Sequence, residues 1–308
     1  VPMTPIQRWF FQQEFLFPNH WNQSMFLDVM QPMDKTVLAQ ALEMLLVHHD
    51  ALRLRVEHEK GEWHLINAEP NGQEPLVLID LSELREAEQD EAVATIAQKV
   101  QCCMNLFNGC LLQAAYFDLG GRQPDKLLIV IHHLAVDGIS WRILLEDFQM
   151  VYQQLLQGVE PVLPPKTTAF RDWAEHLQAY AHSPEVQEES DFWDEMLTGV
   201  DTHICYDFPA GSNQEKDAVA LSVSLSAAET EDLLREVPRA YHTEINDVLL
   251  TALGMALQQW TGEEQVLIEL EGHGREDFDE QLDVSRTVGW FTAQYPLCLT
   301  LKPDEHGK

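Results

Sequence analysis

The sequence predicts a mixed α/β (α+β) fold arranged as two lobes, and three observations lead there. Strand-like and helix-like stretches alternate without a GxGxxG turn or a P-loop, so no dinucleotide or nucleoside triphosphate site is indicated. A chain of 308 residues also exceeds one comfortable core. Finally, Pro161-Val162-Leu163-Pro164-Pro165 interrupts the alternation with an extended segment that cannot continue a helix. Lobes over 1–165 and 166–308 follow.

Taken in order, Thr4-Pro5 resembles a helix N-cap followed by proline in the first turn, opening a short aromatic helix through Trp9, Phe10 and Phe11. Asn22 to Val29 reads as a strand. Asp34 then caps an amphipathic helix with Val37, Leu38, Ala41, Leu42, Leu45 and Leu46 on one side. That helix ends at His48-His49, where the helix dipole is reason enough for histidine. Residues 52–56 and 63–66 form a hairpin across Lys60-Gly61-Glu62, residues 76–79 form a strand, and 86–104 a helix. Two strands follow, 111–117 and 127–133, the second led by the apolar run Leu127 to Ile131. After Gly138, apolar positions at Leu144, Phe148, Val151 and Leu155 have helical spacing. Past the prolines, helices are expected at 170–180, 184–197, 226–235 and 245–260. Strands are expected at 219–225 and 265–270.

Composition narrows the function. Fifty-one acidic against 19 basic side chains give a net charge of −32, which repels nucleic acid and anionic membranes. The odd set Cys102, Cys103, Cys110, Cys205 and Cys298 contains no CxxC pair, so neither a disulfide framework nor a zinc site is suggested. Reduced thiols in the cytoplasm are the simplest account, and no apolar run is long enough to span a bilayer.

Chemistry concentrates at two strand ends. One carries His132-His133-Leu134-Ala135-Val136-Asp137-Gly138, the other Glu271-Gly272-His273-Gly274-Arg275-Glu276. Histidine exchanges protons near neutral pH, and strand ends present side chains to a crevice. A histidine and a carboxylate on opposite sides of one carbon could remove a proton from one face and return it to the other. With no metal cluster or pyridoxal signature, the group that acidifies that carbon has to belong to the substrate, as in a thioester. Glu271 on its residues alone reads equally as a salt-bridge partner of Arg275. Asp137 reads as structural, with Arg53 its expected partner. Glycines beside His273 suit a loop that passes close to a ligand.

HHLAVDG resembles the HHxxxDG motif of the condensation superfamily of nonribosomal peptide synthetases, whose two-lobed fold is shared with chloramphenicol acetyltransferase. TPIQRWFF at 4–11, DGISWR at 137–142, EGHGRE at 271–276 and RTVGWFT at 286–292 look like epimerization domains of that superfamily, in the family's order. The resemblance implies L-to-D inversion of the α-carbon of an aminoacyl or peptidyl thioester in a tunnel between the lobes. The thioester is carried on the 4'-phosphopantetheine of an upstream carrier protein, no cofactor or metal is bound directly, and a downstream condensation domain adjoins. His133 and Glu271 would form the acid/base pair. His132, Asp137, Gly138, Arg53, Ser140 and Trp141 would support it, and Gly272, His273, Gly274, Arg275, Trp290 and Thr292 would line the tunnel. Family members continue beyond RTVGWFT, so the end at Pro303 to Lys308 and the start without Met are read as a piece of a longer polypeptide with an incomplete second lobe. Rival readings are an amide-forming condensation domain and a catalytically silent docking module.

Overall fold

The computed structural model describes residues 1–301 except 71, 73, 108, 110, 122, 201–205, 209, 212, 213 and 277–281. Cys110, Cys205 and the tail from Pro303 to Lys308 therefore lie outside the described residues. The elements are α1 (Pro5–Gln12), β1 (Asn22–Val29), α2 (Lys35–His48), β2 (Leu54–Glu59), β3 (Glu62–Asn67), β4 (Leu76–Asp80), α3 (Glu86–Gln101), β5 (Leu112–Asp118), β6 (Asp125–His132) and α4 (Gly138–Leu156). They continue with α5 (Phe170–Tyr180), α6 (Pro184–Glu188), α7 (Ser190–Leu197), α8 (Ala227–Glu231), α9 (Val237–Tyr241), α10 (Ile245–Thr261), β7 (Gln265–Gly272) and β8 (Ala293–Thr300).

Two compact units are present. The first joins Val1–Val186 to Glu271–Ala293, and the second joins Gln187–Leu270 to Gln294–Lys308. These bounds differ from lobes divided at 165/166: residues 166–186 and the stretch carrying EGHGRE and RTVGWFT pack with the first unit. The prolines mark an extended stretch and not a boundary of packing.

The first unit is built on a four-stranded sheet in the order β1-β6-β5-β4. β6 is antiparallel to both β1 and β5, whereas β4 runs parallel to β5. Side chains of a strand alternate between faces, and β6 is apolar on both because each face meets a core. Leu127, Ile129 and Ile131 join Leu38, Leu42 and Leu45 of α2 and Leu144 and Phe148 of α4. Leu128 and Val130 face Val93 and Val100 of α3. The local signals behave as their chemistry requires: Asp34 accepts the amide hydrogens of Thr36 and Val37 at 2.9 and 3.1 Å, and Lys60-Gly61 turn the β2–β3 hairpin at positive φ.

In the second unit, β7 and β8 form a two-stranded sheet. Three expectations change there and nearby. Residues 219–225 form no strand, and Leu221 stands 93% exposed, because alternation makes a strand only where an edge is available to pair with. The helix expected over 184–197 breaks at Glu189, where Glu185 stands three and four residues before Glu188 and Glu189 and like charges at that spacing weaken a helix. The helix from Ser226 passes through a π turn at Asp232–Glu236 into α9. Among the described residues Cys102, Cys103 and Cys298 are free thiols, and no helix is long and apolar enough to cross a membrane.

Leu42 is fully buried in the larger core while Leu221 is exposed. Leu42→Ala should cost about 2–5 kcal/mol in a denaturant titration. Leu221→Ser should stay within about 0.5 kcal/mol of the parent.

Candidate active site

β6 delivers two adjacent histidines to its end, and the surrounding backbone separates their roles. His132 is fully buried; its Nε2–H donates to the Pro18 carbonyl at 2.8 Å and its Nδ1 accepts the Leu134 amide hydrogen at 3.1 Å. Those two bonds define one neutral tautomer. Burial pushes its pKa down to about 4, since a charged ring there would be desolvated.

His133 opens the 3₁₀ turn His133–Ala135, held by its own N–H donating to the Trp21 carbonyl at 2.8 Å. Its ring lies 4.4 Å from that of Trp290. Its Nε2 is 2.8 Å from Nε2 of Gln23 on β1, and Oε1 of Gln23 accepts from Trp141 Nε1 at 2.8 Å. Burial pushes the His133 pKa below the ordinary value, outweighing its own carbonyl, Asp137, the Val136 carbonyl and Glu271, which all favour the charged ring. Glu271 lies at the exposed end of β7, close enough for its charge to act on His133.

Asp137 is the N-cap of α4, accepting from the Ser140 amide at 2.7 Å, and it also accepts from the Phe291 amide at 3.2 Å. Its ionic partner is Arg275, at 3.2 and 3.3 Å, with the two side chains 8% and 6% exposed. This corrects the expected pairing with Arg53. Arg53 instead closes the C-terminal end of α2: it donates to the carbonyls of Leu46, Val47 (2.8 Å) and Ala68 (3.0 Å) and pairs with Asp50 at 2.9 Å. No local pattern could have distinguished the two arginines, because Arg275 is 138 residues from Asp137.

Arg275 also donates to the carbonyls of Val284 and Thr287, both at 2.8 Å, and to Ser140 Oγ at 2.9 Å, while its guanidinium lies 3.8 Å from the Phe291 ring centroid. Ser140 Oγ in turn donates to the Gly289 carbonyl at 2.9 Å and accepts the Gly289 amide hydrogen at 3.1 Å. The EGHGRE and RTVGWFT segments are thereby fastened to the HHxxxDG loop. Gly274 has φ +66°, and a Cβ there would lie 1.6 Å from the Phe291 carbonyl oxygen, so this approach requires glycine. At Gly138 an added Cβ meets nothing within 4 Å.

The other expected lining residues are placed variously. Trp290 is buried against His133, Thr292 and Gly272 are half-buried, and His273 is 58% exposed with its Nδ1 accepting the Arg275 amide hydrogen at 3.0 Å. Gln23, which carries no motif of its own, was detectable only through strand register, in which Asn22 faces His132.

The second histidine pair divides: His48 lies in the last turn of α2, where the helix dipole suits it, and buried His49 bonds Asp147 through Nε2 at 3.0 Å. His48, His49 and Asp147 offer donor atoms within 4.8 Å of one another. However, Arg286 also bonds the Asp147 carboxylate and already supplies positive charge, so the cluster reads as structural.

The sequence profile of the condensation domain matches residues 1–307. A linear gramicidin synthase of Brevibacillus parabrevis is 46% identical over 304 residues, covering 99% of this chain and 6% of that protein, so the chain spans only a small part of that relative's length. The crystal structure of the epimerization domain from the third module of tyrocidine synthetase B matches with a TM-score of 0.92 and 40% identity, over 99% of this chain and 69% of that one. The first condensation domain of the calcium-dependent antibiotic synthetase shares the fold, with a TM-score of 0.73 at 19% identity, over 98% of this chain and 69% of that one.

Two predictions concern stability. Removing one partner of a buried ion pair leaves the other uncompensated, so Arg275→Met should cost about 3–5 kcal/mol by denaturant unfolding. His132 titrates near 4 when folded and near 6.5 when unfolded, so the unfolded chain binds the extra proton between these values. Its contribution is therefore complete above pH 6.5 and is lost as pH falls to 4, by about 3 kcal/mol. His132→Asn should flatten that part of the stability–pH curve.

Proposed function

The chain belongs to the condensation-domain family, with its chloramphenicol-acetyltransferase-like fold, and from that we propose that it inverts the α-carbon of an aminoacyl or peptidyl thioester, L to D, during nonribosomal peptide synthesis. The observation that carries this reading is the tethering of EGHGRE to the histidine loop through Arg275, with the Glu271 charge acting on His133. The similarity to an epimerization domain at 40% identity supports the same choice.

Inversion requires one group to take the α-proton and another to return a proton to the opposite face of the same carbon. His133, kept largely neutral at pH 7 by burial, is suited to accept, and its imidazolium to donate. Glu271 is the second group. The intermediate is a thioester enolate, in which negative charge grows on oxygen. Hydrogen-bond donors aimed at that oxygen lower the barrier. The thioester is held on the 4'-phosphopantetheine of a carrier protein, whose flexible arm brings the reacting carbon to His133, so the carrier is the partner and the chain itself needs no bound cofactor. An upstream carrier and a downstream condensation domain are the proposed neighbours.

His133→Ala and Glu271→Gln should each slow inversion by about 10²–10⁴-fold, the usual contribution of one acid/base group. The assay presents an L-aminoacyl carrier protein in deuterated water and follows chirality and isotope at the α-carbon. Inversion with deuterium uptake supports the epimerase. Peptide formation with a second loaded carrier would replace this reading with a condensation domain, and neither product would leave a docking module.

A further inference from the structure

Tryptophan Nε1 can only donate a hydrogen bond, and Trp141 places its Nε1 2.8 Å from Gln23 Oε1. The amide orientation of Gln23 is thereby determined: its oxygen faces Trp141 and its NH₂ group faces His133. An amide nitrogen cannot accept, so His133 Nε2, at 2.8 Å, has to be the acceptor, and the ring proton resides on Nδ1. We propose that Gln23, oriented by Trp141, is a positioning residue that holds His133 in the Nδ1–H tautomer, marks Nε2 as its proton-accepting nitrogen and resists formation of the imidazolium.

The resistance is a matter of donors. An imidazolium carries hydrogen on both nitrogens, so a proton arriving at Nε2 meets the N–H of Gln23. The amide must then yield its place or turn over, and turning over strands Trp141 Nε1–H without an acceptor. A proton taken from the substrate at Nε2 is held in an unfavourable setting and is readily released. Around the ring, Asp137 and Glu271 favour the charged form, Arg275 offsets Asp137, and neutral His132 adjoins in sequence. Gln23 acts against the two carboxylates at the one nitrogen where transfer occurs. This inference rests on the epimerase reading for its catalytic meaning, but the tautomer itself does not.

The test is nuclear magnetic resonance of the chain with labelled histidine, the His133 signals being identified by their loss in His133→Asn. In the parent at pH 7, the ring nitrogen shifts should report Nδ1 protonated and Nε2 bare. Gln23→Glu puts an acceptor where the donor stood, and the protonation constant of His133 should rise about tenfold or more. Trp141→Phe, which releases the amide to turn over, should raise it by a smaller factor. The neutral Nε2–H signal of His132 reports in each variant that the site is folded. An Nε2–H tautomer for His133 in the parent overturns the proposal, as does an unchanged titration in folded Gln23→Glu or Trp141→Phe. These measurements need no substrate. If they come out as expected while the parent protein gives no inversion of an L-aminoacyl carrier protein, the epimerase reading fails and the tautomer assignment stands. With both intact, the acid limb of α-proton exchange should move to higher pH in Gln23→Glu together with the His133 titration.

Discussion

A single buried guanidinium holds together the end of the first unit that carries the two motifs. Arg275 brings three separate pieces of chain to one point: the start of α4 through Asp137 and Ser140, the loop at Val284 and Thr287 through carbonyls, and Phe291 through its ring face. The planar fork of arginine suits this task, since lysine has neither the fixed donor directions nor the flat face to stack. Burial opposes its charge, and Asp137 offsets that opposition in part. Asp137 meanwhile satisfies the Ser140 and Phe291 amides. An isolated carboxylate at that depth would be costly, so neither residue can be buried without the other.

From this anchorage the difference between His132 and His133 follows. β6 stays in register with β1 up to the Asn22–His132 pair, which buries His132 between backbone groups that use both of its nitrogens. One residue later the chain leaves the strand, and α4 starts at Gly138 with Asp137 as its cap. His133 is therefore turned toward side chains, Gln23 and Trp290, that can be displaced or reoriented as backbone cannot. Two identical residues in sequence become a fixed prop and a chemically addressable group because one ends the ladder and the other begins the turn.

What was legible in the sequence was what local periodicity encodes. The apolar run ending in histidine, the cap at Asp34 and the helix after Gly138 each depend on neighbours within a few residues, and each formed as expected. The motif residues of the two strand ends were also identified, and the structure assembles them in one compact unit. Long-range pairing was not legible. Arg53 and Arg275 are both arginines within reach of a plausible story for Asp137, and only packing assigns one to the end of α2 and the other to the start of α4. Residues 219–225 show the converse failure: the alternation is present but a strand is a relation between two segments, and no partner lies beside it among the described residues. Gln23 escaped because a glutamine at the start of a strand carries no signal until pairing with β6 brings its side chain within hydrogen-bond distance of His133.

The charge of the chain sharpens the electrostatic problem at His133. A net charge of −32 would by itself favour protonated histidines, and the two carboxylates nearest this ring push the same way. Distant surface charges are screened within about 8–10 Å at ordinary salt, so the contest is decided locally. There, desolvation of the ring prevails over Asp137 and Glu271, and Asp137 is itself paired with Arg275. The residue that fastens the two motifs thus also balances part of the charge of Asp137, a carboxylate that favours the charged form of the His133 ring. If Arg275 held the loop by hydrogen bonds alone, without a positive charge, Asp137 would be an unbalanced anion acting on a histidine that burial pushes toward its neutral form.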